Sequence, residues 1–204
     1  MAENRQLSRL EGFSDGVFAI AITLLILEVK VPPLESLHSP NALWAALVHL
    51  WPSYFAFAFS FGSILVLWIN LTHVFTLIEK SSKALMYANG FILLTITFVP
   101  FPTALLAEYI LTPYMQQAIV FYCGFSIITT SSFIIFFHIL LKPQLLIKHD
   151  TVADIKKLRT SAYFGLLVYI CSTALAWWFP ITALVINTSL WILWVSLSLM
   201  ERNA

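Results

Sequence analysis

The chain has 204 residues, of which 60% are hydrophobic and only 10% charged, and its formal net charge is +1. An ordinary soluble domain is about a quarter charged, so this composition cannot cover a water-facing surface. The absence of any run of five or six like charges argues against a nucleic-acid surface, and 17 Phe, 7 Trp and 7 Tyr fit a bilayer protein with little extramembrane mass.

A helix rises about 1.5 Å per residue and the hydrocarbon core is about 30 Å thick, so each crossing needs roughly 20 mostly apolar residues. The segment MAENRQLSRLEGFSDG is polar and mixed in charge, and no small-residue cleavage site follows the first apolar run, so the first helix is expected to remain in the mature chain. That first span is predicted over 13–31, stopped by Pro32-Pro33. No Asp, Glu, Lys or Arg lies between Glu35 and Glu79, a stretch too long for one crossing. It divides into a short interfacial helix over 41–50 and a second span over 52–78, with Pro52 as a natural helix-start residue.

A third span fits 84–106, with Pro100 and Pro102 placed to kink or end it. Thr112-Pro113 reads as a cap followed by a first-turn proline, opening a fourth span over 113–141. From Thr160 to Met200 there is again no formal charge, and Pro180 divides this stretch into spans over 160–178 and 181–200, with Trp177 and Trp178 at the interface. The expected fold is therefore an all-α integral membrane protein, one domain over 1–204 with six transmembrane helices. Ten of the eleven basic residues, all but Lys30, fall in the N-terminal segment, the loops after spans two and four with their flanks, or the C-terminus. The positive-inside rule then puts both termini in the cytoplasm.

The first span carries the most information. At 100° per residue Ile20, Thr23, Leu24 and Leu27 share one stripe, while Ser14 and Asp15 point away from it. An ionisable group in a membrane helix needs a partner, and the candidates for Asp15 are Arg9, Asn70 and His73. Arg9, six residues earlier, sits on a different face of an ideal helix, so that pairing needs a neighbouring subunit or an unwound start. The alternative is that Ser14 and Asp15 form a helix-start pair satisfying backbone N–H groups. Gly12 and Gly16 form a G-x-x-x-G pattern around the charge. Glu28 at the far end is either a solvated interfacial carboxylate or a group that concentrates cations at a mouth.

The pattern R-x-x-x-F-S-D, Arg9 to Asp15, followed by GVFAIAITLLILEV, closely resembles the first-helix signature of the transmembrane protein 175 family of potassium channels. The resemblance implies a homotetramer embedded in lipid, in the plasma membrane of a prokaryote, conducting potassium passively through a pore lined by four first helices. It implies no filter loop, and no T-V-G-Y-G segment is present. It assigns the apolar constriction to Ile20, Leu24 and Leu27, selectivity to the hydroxyl of Thr23, and a structural network to Arg9, Phe13, Ser14 and Asp15, to which Asn70 and His73 are natural additions. A ring of Ile or Leu closes a pore by dewetting, because a passing ion sheds water and gains no ligand.

The main competing reading is a secondary transporter of a cation or small solute, which a three-plus-three repeat would allow, but no internal repeat or pair of broken helices is seen. An enzyme is not expected, since H-E-x-x-H, G-x-S-x-G and paired intramembrane aspartates are all missing. No cofactor or resident metal is expected either; His149-Asp150 lies in a basic loop without companion ligands. Ser126, Thr129, Thr130, Ser131 and Ser132 either line a hydrophilic path or bond the preceding turn. Cys123 and Cys171 read as apolar packing residues.

Overall fold

The computed structural model describes residues 2–142 except 38 and 40, and residues 151–200; of residues 2–5, 36 and 191–200 it describes the backbone alone. Its elements are helices α1 (Ala2–Leu24), α2 (Ala42–His49), α3 (Trp51–Thr76), α4 (Lys83–Phe98), α5 (Pro100–Tyr109), α6 (Met115–Leu140), α7 (Val152–Leu175) and α8 (Pro180–Met200), with short 3-10 turns at Leu25–Glu28 and Leu34–Ser36. Five stretches are long and apolar enough to cross a membrane: Gln6–Glu28, Trp51–Thr76, Lys83–Tyr109, Met115–Leu140 and Val152–Leu175. Helix α8, 21 residues long, follows them.

Several boundaries differ from those expected. The first helix begins at Ala2, not near 13, because Leu7 and Leu10 give the polar N-terminal segment an apolar edge that packs on the core. Ser14 is therefore well inside the helix, and the helix-start reading of Ser14 and Asp15 is corrected. At its other end α1 tightens into the 3-10 turn Leu25–Glu28, where Val29 N–H donates to Ile26 O at 3.1 Å, before Pro32-Pro33. Helix α7 likewise begins at Val152 rather than 160, since Ile155 is fully buried while its charged neighbours face outward. Leu158 packs on the same core, and Ala162 joins it.

The third crossing is two helices: α4 ends at Phe98 and α5 opens on Pro100, whose missing N–H breaks the ladder. Thr112-Pro113 forms a turn ahead of α6 rather than its cap. The Thr112 hydroxyl accepts from Tyr114 N–H at 3.2 Å, and the helix itself starts at Met115. The 143–150 segment, with Lys148, His149 and Asp150, and Arg202 near the end lie outside the described residues.

Two apolar clusters hold the bundle. The larger joins α1, α3, α4, α6 and α7 through fully buried side chains such as Phe18, Leu25, Ile92, Phe136 and Ile155. The smaller ties α5, α6, α7 and α8 together around Leu106, Ile119, Cys123 and Ala183. In a bilayer, close packing and interhelical hydrogen bonds rather than water exclusion favour such contacts. One such bond joins α3 to α5, Ser60 Oγ to Thr103 Oγ1 at 2.6 Å.

Candidate functional site

Helix α1 lies against α3 and α4 and presents two unlike faces. Leu10, Ser14, Phe18 and Ala21 of α1, with Leu25 of the 3-10 turn that continues it, are spaced four, four, three and four apart and are all buried. That is the inward stripe of a 3.6-residue helix. On the other side Ile20, Leu24 and Leu27 are 58%, 43% and 67% exposed, and Thr23 stands beside them, also exposed. Three large aliphatic side chains in a row are thus left largely uncovered within the subunit.

The Thr23 hydroxyl donates back to the carbonyls of Ala19 and Ile20, at 3.0 and 2.9 Å. Its oxygen keeps lone-pair capacity on the exposed face, where a cation lacking part of its hydration shell can use it.

Two polar side chains of the motif fasten this helix to its neighbours. Ser14, 2% exposed, donates to Leu10 O at 2.9 Å and accepts from Asn89 Nδ2 on α4 at 2.9 Å. Asp15 Oδ1 accepts from Trp68 Nε1 on α3 at 2.8 Å. One turn of α1 is therefore bonded in register to both supporting helices. Asn89 is fully buried, and its Oδ1 has no hydrogen-bond partner among the described residues.

The remaining sequence candidates are placed elsewhere. Among the described residues neither Arg9, Asn70 nor His73 bonds to Asp15. Asn70 and His73 instead face a cleft between α3 and the α6–α7 pair, while Arg9 is exposed. Phe13 is 63% exposed on the same side as Ile20 and takes no part in the buried contacts. A methyl group added at Gly12 or Gly16 would meet nothing within 4 Å among the described residues, so their spacing serves no helix contact inside the subunit. Glu28 is half-buried at the end of the 3-10 turn.

Sequence reasoning did not single out Trp68, nor Asn89, whose lone amide in the apolar run of α4 was the available signal. Ser126, Ser131 and Ser132 of α6 bond their own preceding turn, at Tyr122 O, Ile127 O and Thr129 O, and Ser126, Thr129 and Thr130 line the cleft.

Comparison with known proteins gives four concordant likenesses. Residues 9–100 match the family model described as endosomal/lysosomal potassium channel TMEM175. A potassium channel of Chamaesiphon minutus is 46% identical over 152 residues, covering 74% of this chain and 70% of the relative. One from Streptomyces collinus is 50% identical over 102 residues, covering 50% of this chain and 48% of the relative. The crystal structure of a lysosomal potassium-selective channel TMEM175 homolog from Chamaesiphon minutus superposes with a TM-score of 0.85 at 36% identity, over 95% of this chain and 98% of that one.

Proposed function

Because the chain belongs to the TMEM175 family of potassium channels, we propose that it forms a passive potassium-selective pore around which four copies place the exposed face of α1. The family and its relatives are ion channels, not enzymes. The observation that carries the pore assignment is the stripe of Ile20, Leu24 and Leu27, exposed on a helix whose opposite face is buried and hydrogen-bonded.

In this reading Ile20, Leu24 and Leu27 from four subunits make successive apolar rings that close by dewetting. Thr23 lies between the first two rings and returns part of the lost solvation through its oxygen. Potassium sheds water more readily than sodium, which gives a narrow apolar neck the right direction of selectivity. Glu28 draws cations to the mouth. Trp68 and Asn89 hold the pore helix through Asp15 and Ser14, while the exposed Arg9 and Phe13 face neighbouring copies. Both termini lie on the Lys- and Arg-rich cytoplasmic side of a prokaryotic plasma membrane.

Single cysteines introduced on α1 in a Cys171→Ser background test the assignment by blockade of potassium current with silver ion. Block at positions 20, 23, 24 and 27, with none at 18, 21 or 25, is expected. Block confined to the buried positions, or none at any, would overturn it.

A further inference from the structure

Helix α3 packs on α1 and α5 but stands off from α7, and between them opens a cleft of about 670 Å³ that α6 floors. It runs along α3 from Phe59 to Thr76, roughly 25 Å at the rise of an α-helix, most of the hydrocarbon thickness. Its volume is that of a small-molecule site rather than of a packing defect. The two ends differ in chemistry. Phe59, Val66, Phe125 and Phe133 make one end mostly apolar, with Ser63 donating to Phe59 O on its own helix and Ser126 paired with the Asn187 side chain of α8 at 3.4 Å. At the other end stand His73, Lys157 and Ser161, beside the exposed Lys156.

We propose that this cleft holds one anionic membrane phospholipid, its acyl chain along α3 and its phosphate at Lys157 and His73. The proposal rests on the chain spanning a membrane but not on which helix lines the pore. A lipid is the occupant that matches both ends at once, since it brings a long chain, a negative head and an orientation fixed by the membrane. Lys157 sits at the Lys- and Arg-rich end of the bundle, the level at which a headgroup lies, and basic pockets between membrane helices on this side suit anionic heads. Thr129 and Thr130 line this cleft.

The test uses the full-length protein in nanodiscs containing phosphatidylglycerol or phosphatidylcholine probes with the same photoreactive acyl chain, and maps adducts by peptide mass spectrometry. Adducts are expected on the α3, α6 and α7 residues that border the cleft, with phosphatidylglycerol labelling about fivefold over phosphatidylcholine, the effect of about one basic residue near the membrane surface. Lys157→Glu should abolish that preference and Lys157→Arg should keep it. Ser161→Trp, which fills the basic end, should lower labelling by both lipids. Equal labelling of the wild-type protein by both lipids, labelling only on other helices, or no labelling because a neighbouring copy fills the cleft would each overturn the proposal. The wild-type comparison decides the matter even if a variant fails to fold.

Discussion

Trp68 Nε1 and Asp15 Oδ1 are 2.8 Å apart, so the carboxylate of α1 is held by an indole N–H on α3. This is a charge-assisted bond to a donor that cannot accept or titrate, and it fixes the rotation of α1 without adding a second charge to the membrane. Trp68→Phe keeps most of the ring volume and removes the donor. The bond is partly open to the exposed face of α1, so the expected loss is about 1–2 kcal/mol of subunit stability. Thermal unfolding of the purified protein in detergent checks this, and Trp68→Phe should be destabilised while Asn70→Ala is not.

Ser14 and Asn89 should behave as a coupled pair. Ser14→Ala leaves the fully buried Asn89 amide without its acceptor, at a cost of about 1–3 kcal/mol. Asn89→Leu removes the Oδ1 that has no partner among the described residues together with the amide, so the double variant Ser14→Ala, Asn89→Leu should be more stable than Ser14→Ala alone. Denaturation of all four proteins in one detergent gives the cycle. Additive losses would contradict a direct bond.

At Thr23 the hydroxyl, not the bulk, is expected to matter. Thr23→Val is close to isosteric and removes the oxygen, so potassium-over-sodium preference should fall with the pore diameter nearly unchanged. Thr23→Ser, which can make the same bonds to Ala19 and Ile20 carbonyls, should keep most of it. Bi-ionic reversal potentials of the two variants separate these outcomes.

Leu27→Ser should raise current severalfold by wetting one ring, since an apolar constriction resists ions through dewetting and a hydroxyl relieves it. Leu25→Ser, at the fully buried neighbouring position, should instead lower stability and yield. Single-channel conductance and expression level distinguish the two.

Much of α1 was legible in the chain. The stripe Ile20, Leu24 and Leu27 follows from helical spacing alone, and its exposure in the folded subunit accords with that spacing. The start of the helix was not legible, because a hydropathy window cannot see that Leu7 and Leu10 give a charged segment an inward edge. The partners of Ser14 and Asp15 were hidden for another reason. Asn70 and His73 are conspicuous polar residues of α3, but among the described residues neither bonds to Asp15, whereas the donors come from an aromatic ring and from a helix later in the chain. Which residues of separate helices meet depends on rotation and tilt, and periodicity within one helix does not encode them.

The reversal potential under opposed potassium and sodium gradients, in liposomes carrying the purified wild-type protein or its Ile20→Ala and Thr23→Val variants, tests the central claim most directly. A wild-type potential displaced towards potassium equilibrium, and displaced less in each variant, is the predicted result. Absence of passive current, with flux that saturates and requires a counter-ion, would contradict it and point to a transporter.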